Sequence, residues 1–310
     1  MAAPANVTVT SDFSGAITPE QAQPYFDQMA KISVVQRLAR RVPLGASGER
    51  IPFWNGTVQA SWVAEGGMKP IVEGAVSSQT MSPHKIAAIF TASSEVVRAN
   101  PDDYLSLMRT KVAEAFALAF DAAVLHGTNT PFGAYLGQTT NSVSIVDPGG
   151  AGKASNNDVY SALNSGLSIL TAAEKKWNGT LFDDKAEPII NANVDGNQRP
   201  IFLDMTPPVD QAVPMREGRI LGRPTFISDH VDSGSTIGFM GDFNQVIWGQ
   251  IGGISYDVTD QATLNFGTEA SPNMISLWQY NLVAVRVEAE FGALVHDTAS
   301  FVKLTNTETA

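Results

Sequence analysis

The sequence predicts an α+β fold organised around one long helix, with an extended two-stranded projection before it and strand-rich chain after it. Three observations carry this expectation. Asn100 to Gly127, NPDDYLSLMRTKVAEAFALAFDAAVLHG, has the three-and-four spacing of a helix buried along one narrow stripe. Arg50 to Ala88 reads as extended chain broken by glycines, and the residues beyond Gly127 alternate a second helix with short β-rich runs separated by Gly, Pro and Asp.

In chain order, residues 1 to about 40 open with a Thr/Ser/Ala-rich leader and contain material for only a short helix after Thr18 and Pro19. Such a segment cannot bury a core alone, so it reads as an arm packed on something else. Arg37, Arg40 and Arg41 concentrate its positive charge, either as a solvated helix end or as a contact for an acidic neighbour. In the projection, Val58, Ala60, Trp62 and Ala64 alternate with Gln59, Ser61, Val63 and Glu65, and Gly66-Gly67 permits a turn. Isolated hairpins are marginal in water, so this one should rest on another surface, with Trp62 as its natural anchor; an ordinary core tryptophan is the competing reading.

The long helix is punctuated at both ends: Asn100 is a good N-cap, Pro101 suits the first helical position, Asp102 and Asp103 complement the positive end, and Gly127 stops it. At about 1.5 Å per residue it spans roughly 39 Å, the length of a spine for the whole body. Its core stripe is Leu105, Met108, Val112, Phe116, Ala119 and Ala123, while Lys111, Glu114 and Asp121 interrupt the hydrophobicity and exclude a membrane span. On this reading Met108→Asp buries an unpaired charge and prevents folding. Asp158 caps a second helix running through VYSALNSGLSILTAAEKKW to Asn178-Gly179, with Leu163, Leu167 and Leu170 on one face. AEPIINANV, RPIFLDM, TFISDHV and TIGFMGDF then read as short strands, and VIWGQIGGISYDVT, MISLWQYNLVAVRVEAEFGALV and SFVKLT as strands returning to a sheet beside the long helix.

Charged residues make up 16% of the chain, below the roughly 25% of an average soluble domain, which suits a subunit covered by neighbours. With 31 acidic and 20 basic residues the formal net charge is −11, which repels phosphate and excludes general nucleic-acid binding. The absence of cysteine removes disulfides, thiolate metal sites and cysteine nucleophiles together. The amino terminus has neither a basic nor an apolar signal region, so a cytoplasmic origin is the default expectation.

Chemistry is sparse. PGGAGKAS departs from a phosphate loop at Asp147 and Ala154, and His84, His126, His230 and His296 follow no metal-ligand spacing. GSTIG places Thr236 where a nucleophile elbow needs serine. The pairs Asp102/Asp103 and Asp183/Asp184 are adjacent rather than opposed, so solvation or capping explains them better than acid/base work. Gly249, Gly252 and Gly253 read as a bend or bulge between strands. No cofactor is expected.

Taken in order, these elements resemble the major capsid protein of tailed bacteriophages, the Hong Kong ninety-seven-type fold. The likeness is carried by Trp62-Val63-Ala64-Glu65-Gly66 with Lys69, Ser93-Ser94-Glu95, Asp121 through Gly127, Gly222-Arg223-Pro224, Gly241-Asp242-Phe243, Ala284-Val285-Arg286 and Ala299-Ser300-Phe301-Val302. The resemblance implies an N-terminal arm (1–50), an extended β-hairpin loop (51–85), a peripheral domain with the spine helix (86–132), an axial α/β domain (133–245), peripheral return strands (246–294) and a C-terminal strand returning to the axial domain (295–310). It also implies hexamers and pentamers of one chain closing into an icosahedral shell around double-stranded DNA without sequence-specific binding, either a separate scaffold protein, favoured by the initiating Met1, or a processed form of the chain, a portal and a decoration protein as further partners, and a place in the virion after assembly in the host bacterial cytoplasm. Trp62, Glu65, Lys69, Arg37, Arg40 and Arg41 become subunit-interface candidates. Some relatives join an extended-loop lysine to another subunit's asparagine with a glutamate's help; Lys69 lies in the matching loop, its partners cannot be placed, and the expectation is a shell without that bond. An encapsulin-like cargo shell shares the fold, and a carboxylate-dependent hydrolase using Asp183 and Glu187 is the reading from another class.

Overall fold

The computed structural model describes residues 33–55, 60–69, 71, 75–99, 104–145, 159–192, 202–204 and 215–306. The expectations for residues 1–32, for the caps at Asn100 to Asp103 and Asp158, and for the glycine-lysine run at 148–155 lie outside them.

The described chain opens with helix α1 (Val34–Leu38), capped by Ser33, and a two-residue strand β1 (Arg40–Arg41). Strands β2 (Glu49–Asn55) and β3 (Ala75–Met81) form the hairpin, β4 (His84–Ser93) follows, and α2 (Ser94–Ala99) precedes the spine helix α3 (Tyr104–His126). Beyond it come β5 (Ser142–Ser144), α4 (Val159–Ala172), β6 (Gly179–Asp183), α5 (Glu187–Ala192), β7 (Phe202–Asp204), β8 (Arg216–Ile220), β9 (Arg223–Ser228) and β10 (Thr236–Gly241). The chain closes with β11 (Val246–Thr259), β12 (Thr263–Asn265), β13 (Met274–Ser276), β14 (Leu282–Val295) and β15 (Phe301–Thr305).

A four-stranded sheet runs β1-β11-β14-β4 and a seven-stranded sheet runs β5-β15-β10-β6-β9-β8-β7. Helix α3 joins them. Its Val112, Phe116, Phe120, Val124 and Leu125 share one core with Trp248, Val287 and Phe291 of the first sheet and with Leu181, Phe239 and Phe301 of the second. Phe120 is the hub: its ring lies 5.2 Å from that of Phe291, 6.0 Å from Phe132 and 6.4 Å from Trp248. Met108, placed at the centre of the stripe by the sequence, is half-buried against the small Ala92/Val96 cluster, and the side chain of Leu105 lies outside the described residues. A second core lies between α4 and the seven-stranded sheet, where Val159, Leu163 and Leu170 meet Phe182, Ile227 and Val302.

Three local expectations are corrected. The second helix ends at Ala172 instead of Asn178, because Glu174 takes a left-handed φ of 58° and the Lys175 amide closes onto Leu170 at 2.8 Å. Trp177 is then buried, donating its indole N–H to Gly179 and Thr180, each at 3.0 Å, beneath the Arg223 guanidinium. The run AEPIINANV is a short helix at Glu187–Ala192, not a strand, with Pro188 in its first turn where no N–H is needed. Residues 60–64 do not continue the strand alternation, although the turn at Gly66 (φ 77°) is present and the Gly67 amide donates to Ala64 at 2.9 Å. Asp121, one of the polar interruptions of the spine helix, faces the interior. The glycines of β11 form the expected bulge: pairing jumps from Ile251 opposite Glu290 to Ser255 opposite Glu288, with Gly252 at φ 60°.

Candidate functional site

The hairpin stands on the four-stranded sheet through a socket of small residues. Gly249 of β11 lies directly opposite Gly292 of β14. A Cβ on Gly249 would sit 2.8 Å from Leu44, and one on Gly292 would sit 2.9 Å from both Leu44 and Met81. The two glycines therefore leave a dimple into which Leu44 and Met81 pack, joined by Ile51 and Ile247. His296, in the link between β14 and β15, stacks on Phe53 with ring centroids 3.6 Å apart and holds Gln79 through Nδ1 at 3.1 Å. Burial pushes the His296 imidazole below its usual range, which favours this neutral stacked form. Gly292→Val is expected to overfill the dimple and cost about 1–3 kcal/mol, read as a lower denaturant midpoint of the unassembled chain.

Above the foot the hairpin carries exposed apolar side chains. Trp54 and Val76 are exposed on the paired strands, and at the tip Trp62, Met68 and Ile71 are 104%, 95% and 94% exposed. Burying each such side chain is worth roughly 1.5–3 kcal/mol, so the tip alone withholds on the order of 5–9 kcal/mol of burial. Scattered exposed apolar residues are ordinary, but three at the end of one projection form an apolar patch open to solvent. Glu65 and Lys69 lie between them along the chain, both exposed. The sequence reading singled out Trp62 and passed over Met68, Ile71 and Trp54, which follow no periodicity that would mark them.

The root of the arm is fixed from the spine. The Asp121 carboxylate, fully buried on α3, accepts from the Ser33 hydroxyl at 2.5 Å and from the amides of Val34 at 2.9 Å and Val35 at 3.3 Å. It thus caps α1 from 87 residues away along the chain. Desolvation outweighs these donors and pushes the carboxyl up to about 7. A carboxyl raised on folding stabilises most below its unfolded value near 4, and that stability is lost as pH rises to about 7. The unassembled chain should therefore melt higher at pH 5 than at pH 8 in this respect, and Asp121→Asn should remove that part of the pH dependence; identical pH profiles for the two chains would contradict it.

The arginine candidates are spread apart. Arg37 is ion-paired with Glu217, the Arg41 guanidinium lies 5.3 Å from the Trp248 ring centroid, and Arg40 is exposed on the edge strand β1. The two carboxylates of the hydrolase reading are engaged elsewhere. Asp183 is buried and accepts from the amides of Lys185, Val231 and Asp232 at 3.0–3.2 Å, and Glu187 is ion-paired with Arg216. His126, pushed down by burial, donates Nε2–H to the Val231 carbonyl at 2.8 Å. Among the described residues no group of three or more His, Cys, Asp or Glu is arranged to hold a metal ion, and no helix is long and apolar enough to cross a membrane.

A spine helix between a long-stranded sheet and a mixed α/β sheet, with a hairpin thrown outward, is the architecture of the Hong Kong ninety-seven-type shell subunit. A solved structure from Mycobacterium phage Adephagia superposes with a TM-score of 0.71 over 97% of this chain and 98% of that one, at 18% identity. The model of the Phage capsid family matches residues 14–306. The Probable major capsid protein gp17 of Mycobacterium phage L5 is 55% identical over 302 residues, covering 97% of this chain and 92% of the relative; that of Mycobacterium phage D29 is 55% identical over 305 residues, covering 97% and 94%. The chain belongs to the phage capsid family.

Proposed function

We propose that this major capsid protein of a phage self-assembles into hexamers and pentamers that close into an icosahedral head around double-stranded DNA. The observation that carries the reading is the tip: Trp62, Met68 and Ile71 are solvent-exposed on a projection whose foot is firmly seated, so a neighbouring subunit is what would bury them. Contacts between unlike surfaces of one chain close into rings, as hexamers and pentamers require. A net charge of −11 supports a lining that does not grip phosphate, so that DNA moves during packaging. The peripheral region in this reading comprises residues 86–132 and 246–294, the axial region residues 133–245, and residues 295–310 return to the axial sheet. A separate scaffold protein and a portal are the expected assembly partners, and the role is structural, without catalysis.

An encapsulin-like cargo shell shares the architecture, but the relatives at 55% identity are named as phage capsid proteins, which favours the genome shell. Negative-stain microscopy of the purified protein, with nuclease protection of the particle contents, tests both points. Capsomers and shells holding nuclease-resistant DNA are expected from infected cells; an obstinate monomer contradicts assembly, and shells filled with protein instead of DNA support the cargo reading.

A further inference from the structure

Helix α1 is five residues long, and the Ser33 hydroxyl and the amides of Val34 and Val35 at its start all end on one buried carboxylate. A helix of little more than one turn gains almost nothing from its own hydrogen bonds, so α1 owes its shape to its seat. That seat is the core around Val34 and Val35, together with Asp121 on the spine. No opposite charge meets Asp121 there. Arg37, the charged residue of α1, is turned to Glu217; on β1, Arg40 is exposed and Arg41 lies over Trp248. Along the spine Lys111 is paired with Glu114, and His126 holds the Val231 carbonyl. We infer that α1 is a proton-linked clasp: the docked helix keeps a proton on Asp121, and the clasp opens as a local unit, with both sheets intact, as that proton is given up to water.

The two states differ in what surrounds the carboxyl. Docked, it is fully buried, and the neutral form avoids the cost of an uncompensated charge. Its bond to Ser33 survives in either form, because Oδ1 accepts from the hydroxyl when ionised and the carboxyl O–H donates to Ser33 Oγ when protonated, while Oγ keeps the Gln36 amide. Open, the carboxyl is hydrated and ionises at its ordinary value near 4. Burial holds the docked carboxyl up to about 7. Docking is therefore strongest below about 4, weakens roughly tenfold per pH unit up to about 7 and is level beyond. Burial of Val34 and Val35 opposes opening at every pH. The consequence falls on the arm: opening moves its anchoring point from Ser33 to Arg40 and Arg41, which pair with β11.

Amide hydrogen exchange on the unassembled full chain reads the clasp directly, so the outcome does not depend on whether shells form. Rates are corrected for the intrinsic pH dependence of exchange. The amides of residues 34–39 should lose protection by roughly 100-fold from pH 5 to pH 8, while those of Val287 and Ala289 in β14 keep theirs. Asp121→Asn should make protection at 34–39 independent of pH. Ser33→Ala, which keeps the carboxyl, should lower that protection at both pH values and retain its pH dependence. Protection at 34–39 that stays level with pH in the unaltered chain would overturn the inference, as would a loss shared equally by β14 or a pH dependence that survives in Asp121→Asn. If Asp121→Asn does not fold, the contrast between residues 34–39 and β14 in the unaltered chain decides by itself.

Discussion

Trp62→Ala is expected to leave the chain folded and to abolish efficient shell formation. The side chain is fully exposed and lies beyond the socket that fixes the hairpin, so truncation removes nothing from the core; the melting of the isolated chain should move by no more than about 0.5 kcal/mol. A buried tryptophan at a contact centre is worth about 2–4 kcal/mol, a factor of roughly 30 to 1,000 in each subunit contact. A ring repeats that loss at every contact, so particle yield in sucrose gradients should collapse while soluble subunits accumulate. Normal particle yield from Trp62→Ala would remove the residue from the interface.

Phe120→Ala is expected to do the reverse and fail before assembly begins. Phe120 is 3% exposed and sits where the spine helix meets both Trp248 and Phe291 of the long-stranded sheet and Phe132 of the following turn. Truncating such an aromatic costs about 3–5 kcal/mol, a large part of the 5–15 kcal/mol that holds a typical domain. Urea unfolding should show a much lower midpoint at unchanged slope, with the chain accumulating as aggregate in cells. A loss under about 1 kcal/mol would mean that the core is not centred there. The same reasoning displaces the sequence expectation for Met108→Asp, since a half-buried methionine in a small satellite cluster has room to turn a charge toward water.

The spine helix, the hairpin and the long strands β11 and β14 were legible because each is long and strongly patterned, and the terminal GISYDVT and VAVRVEAE runs alternate cleanly. What escaped the sequence depended on tertiary context. Strand β6 is buried at all five positions and shows no alternation, so its Asn178-Gly179 start was read as a helix stop. Ile189 and Ile190 look like a strand until Pro188 and the packing of Ile190 beneath the sheet make a helical turn. Asp121 reads in sequence only as a polar interruption of the helix's hydrophobicity, because nothing local reveals that the chain 87 residues upstream supplies its three donors. Trp62 stood out by residue type, whereas Met68 and Ile71 became candidates only when the turn placed them beside it without cover. The cleft beside Phe120 and Phe132 is assembled from β4, α3, β14 and the turn after the spine, so no single stretch of sequence announces it.

The most direct test is a three-dimensional reconstruction of the assembled particle at side-chain resolution, read at residues 60–71. The account predicts Trp62 and Met68 buried against a neighbouring copy in every hexamer and pentamer. The same residues packed back on their own chain, or left in solvent within an intact shell, would contradict it.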